Sequence, residues 1–224
     1  MTKNIILLNA IPGTGKDTIA NRFCEINEQY IKLEFKQPLY EEAAKLVGMS
    51  VERVKLMATK EGVKDRPCTF DVDLRPAGGK FKMIMSPRQL LIFTSEHVIK
   101  PLMGDKYFGE RLVESINNKK SHIISDCGFS SEVAAVLQGV TRATNVILAK
   151  FTRNGVKEFP KGDSRNWVDP KDVYNQLTKN KTRKLIEIEF TNDSTVEDAC
   201  ATLLSLVEKA TTKPSKGRGN DKKA

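Results

Sequence analysis

Apolar positions recur along the chain in two periods, every second residue or every three to four, and the switches between them predict the elements in order. Ile5-Ile6-Leu7-Leu8 is a continuous apolar run, as in a strand buried on both faces. It leads through Asn9-Ala10-Ile11-Pro12-Gly13-Thr14-Gly15 into a helix on which Ile19, Phe23 and Ile26 share a face. Tyr30 to Phe35 alternates as a second strand. Pro38 reads as the first residue of a helix carrying Leu39, Ala43, Leu46 and Val47, and Ser50 as the N-cap of another with Val51, Val54 and Met57. A βαβ crossover needs one helix, so something further is built on the sheet here.

From Glu61 to Met85 the periodicity gives way to Gly62, Pro67, Pro76, Gly78 and Gly79 among many charges, which reads as a long functional or mobile loop. Ser86-Pro87-Arg88-Gln89 has the capping-box arrangement and opens a helix with Leu90, Leu91, Phe93, Thr94, His97 and Val98, stopped by Pro101. Gly104-Asp105 turns into a helix bearing Phe108, Leu112 and Ile116. His122 to Asp126 is a short apolar strand ending in a carboxylate. Ser130 or Ser131 starts an amphipathic helix, and Asn145 to Phe151 is a buried strand. Arg153 to Arg183 is polar and basic, with one short helix predicted by Asp169-Pro170. Lys184 to Thr191 alternates as the last strand, and Ser194-x-x-Glu197 reads as a capping box for a final helix.

The first turn carries the most chemistry. Gly13 and Gly15 permit positive φ, so that backbone N–H groups converge on one anion, and the helix beginning near Lys16 adds its positive end. The stretch matches the phosphate-loop pattern G-x-x-x-x-G-K-[ST] with two departures: Ala10 stands at the first glycine and Asp17 at the hydroxyl position. Gly13, Thr14, Gly15, Lys16, Asp17 and Thr18 are the expected polyphosphate contacts. Either Asp17 or Thr18 would meet Mg²⁺. Asp126 lies at a strand's carboxyl end, where it would serve as a further Mg²⁺ carboxylate or as an ordinary turn former. Arg88 sits in the first turn of its helix, where an anion is already favoured.

At 224 residues the chain suits one domain, and no stretch approaches the roughly 20 apolar residues that span a bilayer. No targeting segment is read at the start. Four dispersed cysteines without paired spacing fit a reduced, cytoplasmic protein. The formal charge is +9, but Lys209 to Ala224 holds six Lys/Arg against one Asp, so +5 belongs to a tail expected to be disordered. That tail is either solubilising or a weak nucleic-acid contact.

In its order of strands, loop, helical insertion and basic excursion, the chain resembles the nucleoside monophosphate kinases, more narrowly the bacteriophage deoxynucleoside monophosphate kinases. The residues that carry the likeness are Gly15-Lys16-Asp17-Thr18, Phe35-Lys-Gln-Pro-Leu39, Ser86-Pro87-Arg88-Gln89 with Glu96, Ser125-Asp126-Cys-Gly-Phe129 with Glu132, Gly162-Asp163-Ser164-Arg165, and Asn192-Asp193. The resemblance implies an α/β, three-layer P-loop fold with a five-stranded parallel sheet, in a single domain of residues 1–208. Residues 37–119 would be the monophosphate-binding insertion, 153–183 the lid, and 209–224 the tail.

It further implies ATP and Mg²⁺ as cofactors, with deoxynucleoside monophosphate converted to diphosphate. Lys16, Arg88, Arg153 and Arg165 would act on the phosphates and Asn192 would face the donor adenine. Glu96, Phe129 and Glu132 would contact the acceptor. Lys100 stands where an arginine anchor is expected. The partners implied are the small-molecule substrates, with a homodimer left open and no membrane. Two other readings stand beside this one: a P-loop kinase of another phosphorylated metabolite, and a nucleic-acid-associated P-loop ATPase or binding module.

Overall fold

The computed structural model describes residues 2–75, 78–156, 158–160, 165–178 and 183–212. In chain order the elements are β1 (Lys3–Asn9), α1 (Lys16–Ile26), β2 (Tyr30–Leu33), α2 (Lys36–Val47), α3 (Val51–Thr59), β3 (Cys68–Asp73) and β4 (Lys80–Met85). There follow α4 (Pro87–Phe93), a π-helical turn (Thr94–Ile99), α5 (Lys100–Met103), α6 (Tyr107–Glu114), β5 (Ser121–Cys127) and α7 (Ser130–Gly139). The chain closes with β6 (Thr144–Thr152), α8 (Pro170–Asn175), β7 (Leu185–Thr191) and α9 (Val196–Thr212).

Five strands form one parallel sheet in the order β2-β5-β1-β6-β7. Successive residues of β1 face opposite layers, which is why its apolar run is continuous. Ile6 and Leu8 pack with Ile19 and Phe23 of α1 and Leu203 and Val207 of α9. Ile5 and Leu7 pack with Leu112 of α6, Val133 and Leu137 of α7, and Val173 of α8. This is the α/β three-layer architecture with a five-stranded parallel sheet that the resemblance implied.

Between β2 and β5 lies an insertion with its own core, in which Tyr40, Ala43 and Val47 of α2 meet Val54, Phe70, Val72, Met85 and Leu90. Part of it corrects the sequence reading. Instead of a structureless loop from Glu61 to Met85, β3 and β4 pair antiparallel, from Cys68 opposite Met85 to Asp73 opposite Lys80. Phe70 and Val72 are buried while Thr69 and Asp71 are exposed, a period-two signal hidden by the surrounding charges.

Three helix boundaries also shift. α2 begins at Lys36, ahead of Pro38, because the Asp126 carboxylate from β5 accepts the N–H groups of Phe35 (2.8 Å) and Lys36 (2.9 Å). Pro101 does not end its helix. The chain widens into the π-turn just before it, which moves the preceding carbonyls away from a ring that could not donate to them, and α5 continues to Met103. The last helix is capped by Thr195, whose Oγ1 accepts from Asp198 N at 3.2 Å, rather than by Ser194. It extends to Thr212, past the tail boundary drawn at Lys209; residues 213–224 lie outside the described chain. By contrast the Ser86 capping box with Gln89, the Ser50 cap and the Asp169 cap form as read.

Candidate functional site

The carboxyl ends of β1 and β5 are neighbours at the point where the strand order reverses. From β1 the chain crosses to β2 beyond β5, and from β5 it crosses back over β1 to β6. Ligands of open α/β sheets sit in that crevice. Here it opens into a cleft of about 780 Å³ between the sheet end and the insertion.

The turn after β1 is curled as a phosphate loop requires, with Gly13 at φ 87° and Gly15 at φ 90°. Thr14 is fully buried and its hydroxyl donates to Ile11 O at 2.8 Å. The Asn192 side chain donates to Thr14 O at 2.7 Å, so its amide nitrogen braces the loop. A Cβ on Gly15 would lie 3.1 Å from that nitrogen, so glycine is demanded there by space as well as by φ. Ala10, the departure from the motif, is buried beneath the loop with Leu8 and Ile19.

Lys16 is buried at the N-terminus of α1 and lines the cleft. Burial, and then the charge of Arg165, lowers its ammonium pKa from the ordinary lysine value. Lys36, Lys64, Arg88, Lys100 and Arg165 line the same cleft. Its carboxyls answer that charge unequally. Burial raises the pKa of Asp126, and burial together with the Asp126 charge raises Glu132 well above the usual carboxylate range. Asp17 is different: burial works against its charge, but the Ser125 hydroxyl, donating at 2.6 Å, and the nearby Lys32 hold it below its usual value. Six basic side chains thus face five carboxyls in the cleft lining, Glu96 and Asp105 being the other two, and the basic groups nearest the loop, Lys16, Lys36 and Arg165, are placed to meet an anion.

Asp17 is the ionised oxygen donor best suited to a hard divalent cation, with Thr18 exposed beside it. Each Asp126 oxygen accepts one backbone N–H, from Phe35 and Lys36, so the carboxylate fastens the insertion to the sheet while it also lines the cleft. Among the described residues no three His, Cys, Asp or Glu side chains converge as a metal-holding group. A Mg²⁺ ion shared with phosphates needs roughly one or two carboxylates, and Asp17 fits that demand.

At the insertion end, Arg88 stands on the rim with its Nε 2.6 Å from Asp65 Oδ1. The π-turn contributes Ser95 and Glu96, and Lys100 Nζ lies 2.5 Å from Glu96 Oε1 and 4.6 Å from the centre of the Phe129 ring. Glu132 is buried against this group, and its Oε2 has no hydrogen-bond partner among the described residues. Arg88, Glu96, Phe129, Glu132 and Arg165 are thus brought to one cleft with the loop. Arg153 is not. It is exposed in a tight turn directly after β6, bridged to Val156 and away from the cleft lining. Gly162, Asp163 and Ser164 lie outside the described residues.

Sequence reasoning assigned no role to Ser125, Lys36, Lys64 or Asn9. Ser125 directly precedes a singled-out carboxylate, but its partner Asp17 is 108 positions away. Among the described residues no helix is long and apolar enough to cross a membrane, and the four cysteines are free thiols.

No protein-family model matches the chain, and no curated protein does. Among solved structures, similarity is found to an unliganded sugar kinase from Janibacter sp. HTCC2649, at 12% identity and TM-score 0.41, covering 93% of this chain and 95% of that one. An uncharacterised protein from Eubacterium ventriosum ATCC 27560 is similar at 12% identity and TM-score 0.33, over 93% of this chain and 99% of that one. Likeness at these TM-scores assigns nothing, and the functional reading rests on the cleft itself.

Proposed function

We propose that the protein transfers the terminal phosphoryl group of ATP to a deoxynucleoside monophosphate. The observation that carries this reading is one cleft with a phosphate loop and a buried lysine at the sheet end, and an arginine, an aromatic ring and polar side chains at the other. The loop's backbone N–H groups and Lys16 would hold the donor's phosphates. Arg88, at the N-terminus of α4, would hold the acceptor's phosphate once Asp65 yields it. Phe129 offers a stacking face, and Glu96, Lys100 and Glu132 offer donors and acceptors to a base edge.

A nucleoside monophosphate already presents an anionic oxygen at neutral pH, so the protein need supply no general base. Its work is to align two polyanions and to neutralise charge on the group in flight. Lys16 supplies a point charge and Arg165 a planar fork for two phosphate oxygens. Mg²⁺, when bound, neutralises the donor's phosphate charge; Asp17 would hold it, with Thr18 as the alternative oxygen. Residues 37–119 would serve as the acceptor-binding region; within the basic stretch from 153 to 183, the part from Asn166 to Leu177 is anchored to the core, so a cover that keeps water out would come from the part ahead of Arg165.

An ADP-release assay with each deoxy- and ribonucleoside monophosphate tests the reading. Turnover with at least one deoxynucleotide is expected. A folded protein that turns over none of them, but does phosphorylate another phosphorylated metabolite, would redirect the assignment to that acceptor class.

A further inference from the structure

Asn9, the last residue of β1, is completely buried, and its side-chain amide makes three hydrogen bonds to two other segments of the chain. Its Nδ2 donates to the carbonyl oxygens of Cys127 at 3.2 Å and Asn166 at 3.1 Å, and its Oδ1 accepts from Val168 N at 2.9 Å. One amide therefore ties the end of β1 to the end of β5 and to the segment returning from the basic excursion. That segment is fixed at two further points. Asn166 N donates to Gly128 O at 3.2 Å, and Val168 is buried in the core with Val173 and Leu177.

Arg165 lies one residue before this anchor and lines the cleft. Its stem rests on Gly128 so closely that a Cβ there would come within 2.6 Å of Arg165 Cγ, 2.8 Å of Cβ and 2.9 Å of Cδ. No positive φ is required at Gly128, so what glycine provides there is space for the arginine. The seat is built from core elements, and the charge it presents reaches Lys16.

We propose that Asn9 is a positioning residue for phosphoryl transfer: with Gly128 as the seat, it holds Arg165 over the phosphate loop before any cover closes. This rests on the kinase reading above. An arginine carried on a moving flap would have to be ordered in each turnover, whereas one seated on the sheet end is already in place when the nucleotide arrives.

The test is a double-mutant cycle on the full chain, with Asn9→Ala, Arg165→Ala and the double variant compared for kcat, for KM of ATP and of the acceptor, and for melting temperature. Arg165→Ala is expected to lower kcat by a factor on the order of 10². Asn9→Ala should lower kcat by about tenfold with both KM values little changed, and should add no further loss in the Arg165→Ala background. Losses that multiply in the double variant, or a folded Asn9→Ala with the parental kcat, would overturn the proposal. If Asn9→Ala does not fold, Gly128→Ala keeps the amide and its bonds while displacing the arginine, and the same non-additivity is expected of it.

Should the parent protein phosphorylate no nucleotide, the kinase reading falls and the anchor is judged by calorimetric binding of tripolyphosphate. Asn9→Ala and Arg165→Ala should then weaken binding by similar factors, about tenfold, without adding. Unchanged affinity in Asn9→Ala would refute the anchor itself.

Discussion

At the sheet end of the cleft, Asn9, Asp17, Asp126 and Asn192 each engage partners from other parts of the chain, and Thr14 is tied to Ile11 within the loop. At the insertion end, Glu132 keeps a buried oxygen without a partner among the described residues, Arg88 is paired with an exposed aspartate, and Lys100 is shared between a carboxylate and a ring. The first end is built for a ligand whose shape is known in advance. The second holds groups that must change partners when something binds, so it stores the cost of recognition in the free protein. Mutations at the two ends should therefore fail differently, the first losing rate and the second losing affinity or gaining stability.

The largest effect is expected at Lys16. Lys16→Ala should reduce kcat by roughly 10³-fold in the ADP-release assay, since a buried charge aimed at the phosphates is removed. Because its pKa lies below the ordinary lysine value of 10.5, nucleotide affinity in the parent should fall as pH rises toward that value; Lys16→Ala should show no such limb. Next is Arg88→Ala, expected to raise the acceptor KM by about tenfold or more while the KM for ATP holds. An unchanged acceptor KM would move the acceptor phosphate elsewhere.

Gly15→Ala forces a side chain into a left-handed residue and against Asn192, which should cost about 1–3 kcal/mol in denaturant unfolding. Glu132→Gln sharpens the comparison from the other side. A carboxyl whose folded pKa is raised destabilises the fold as pH climbs from the unfolded value through the folded one, so at pH 7 the neutral amide should melt higher than the parent. Its acceptor KM should nonetheless worsen.

The smallest effect belongs to His122. Burial lowers its pKa, and its Nε2 accepts from Asn117 N at 3.2 Å, a bond that protonation removes. The stability it lends is complete above the unfolded histidine value of about 6.5 and declines as pH falls below it, where the unfolded chain takes up the proton more readily. His122→Gln should flatten that limb of the stability profile.

The sheet and the loop were legible in the sequence because both are written in local signals: a strand buried on two faces, glycines where φ must be positive, and side-chain caps at Ser50, Ser86 and Asp169. Arg88 could be named from its place in a helix's first turn, and Glu96, Phe129 and Glu132 from the resemblance to a known family, and the four do share one cleft. What could not be read was set by long-range bonds. The start of α2 depends on Asp126, about 90 positions away, and Asn9 reaches Val168 across 159 positions. Asn192 stood where a base contact was anticipated, and only the fold shows its nitrogen on the loop's own carbonyl. The β3–β4 pair was masked because its outward positions are charged and its turn is Gly-rich, which in one dimension is indistinguishable from loop.

The π-turn ahead of Pro101 makes the wall bearing Ser95, Glu96 and Lys100 adjustable in discrete steps. Removing a single residue between 94 and 99 would restore regular winding and rotate the side chains of the rest of that helix, Lys100–Met103, by about 100° around its axis, while the sheet and its loop stayed as they are. Lineages of this chain could thus retune what the cleft admits by gaining or dropping one codon, a coarser and faster route than point substitution within a packed interior.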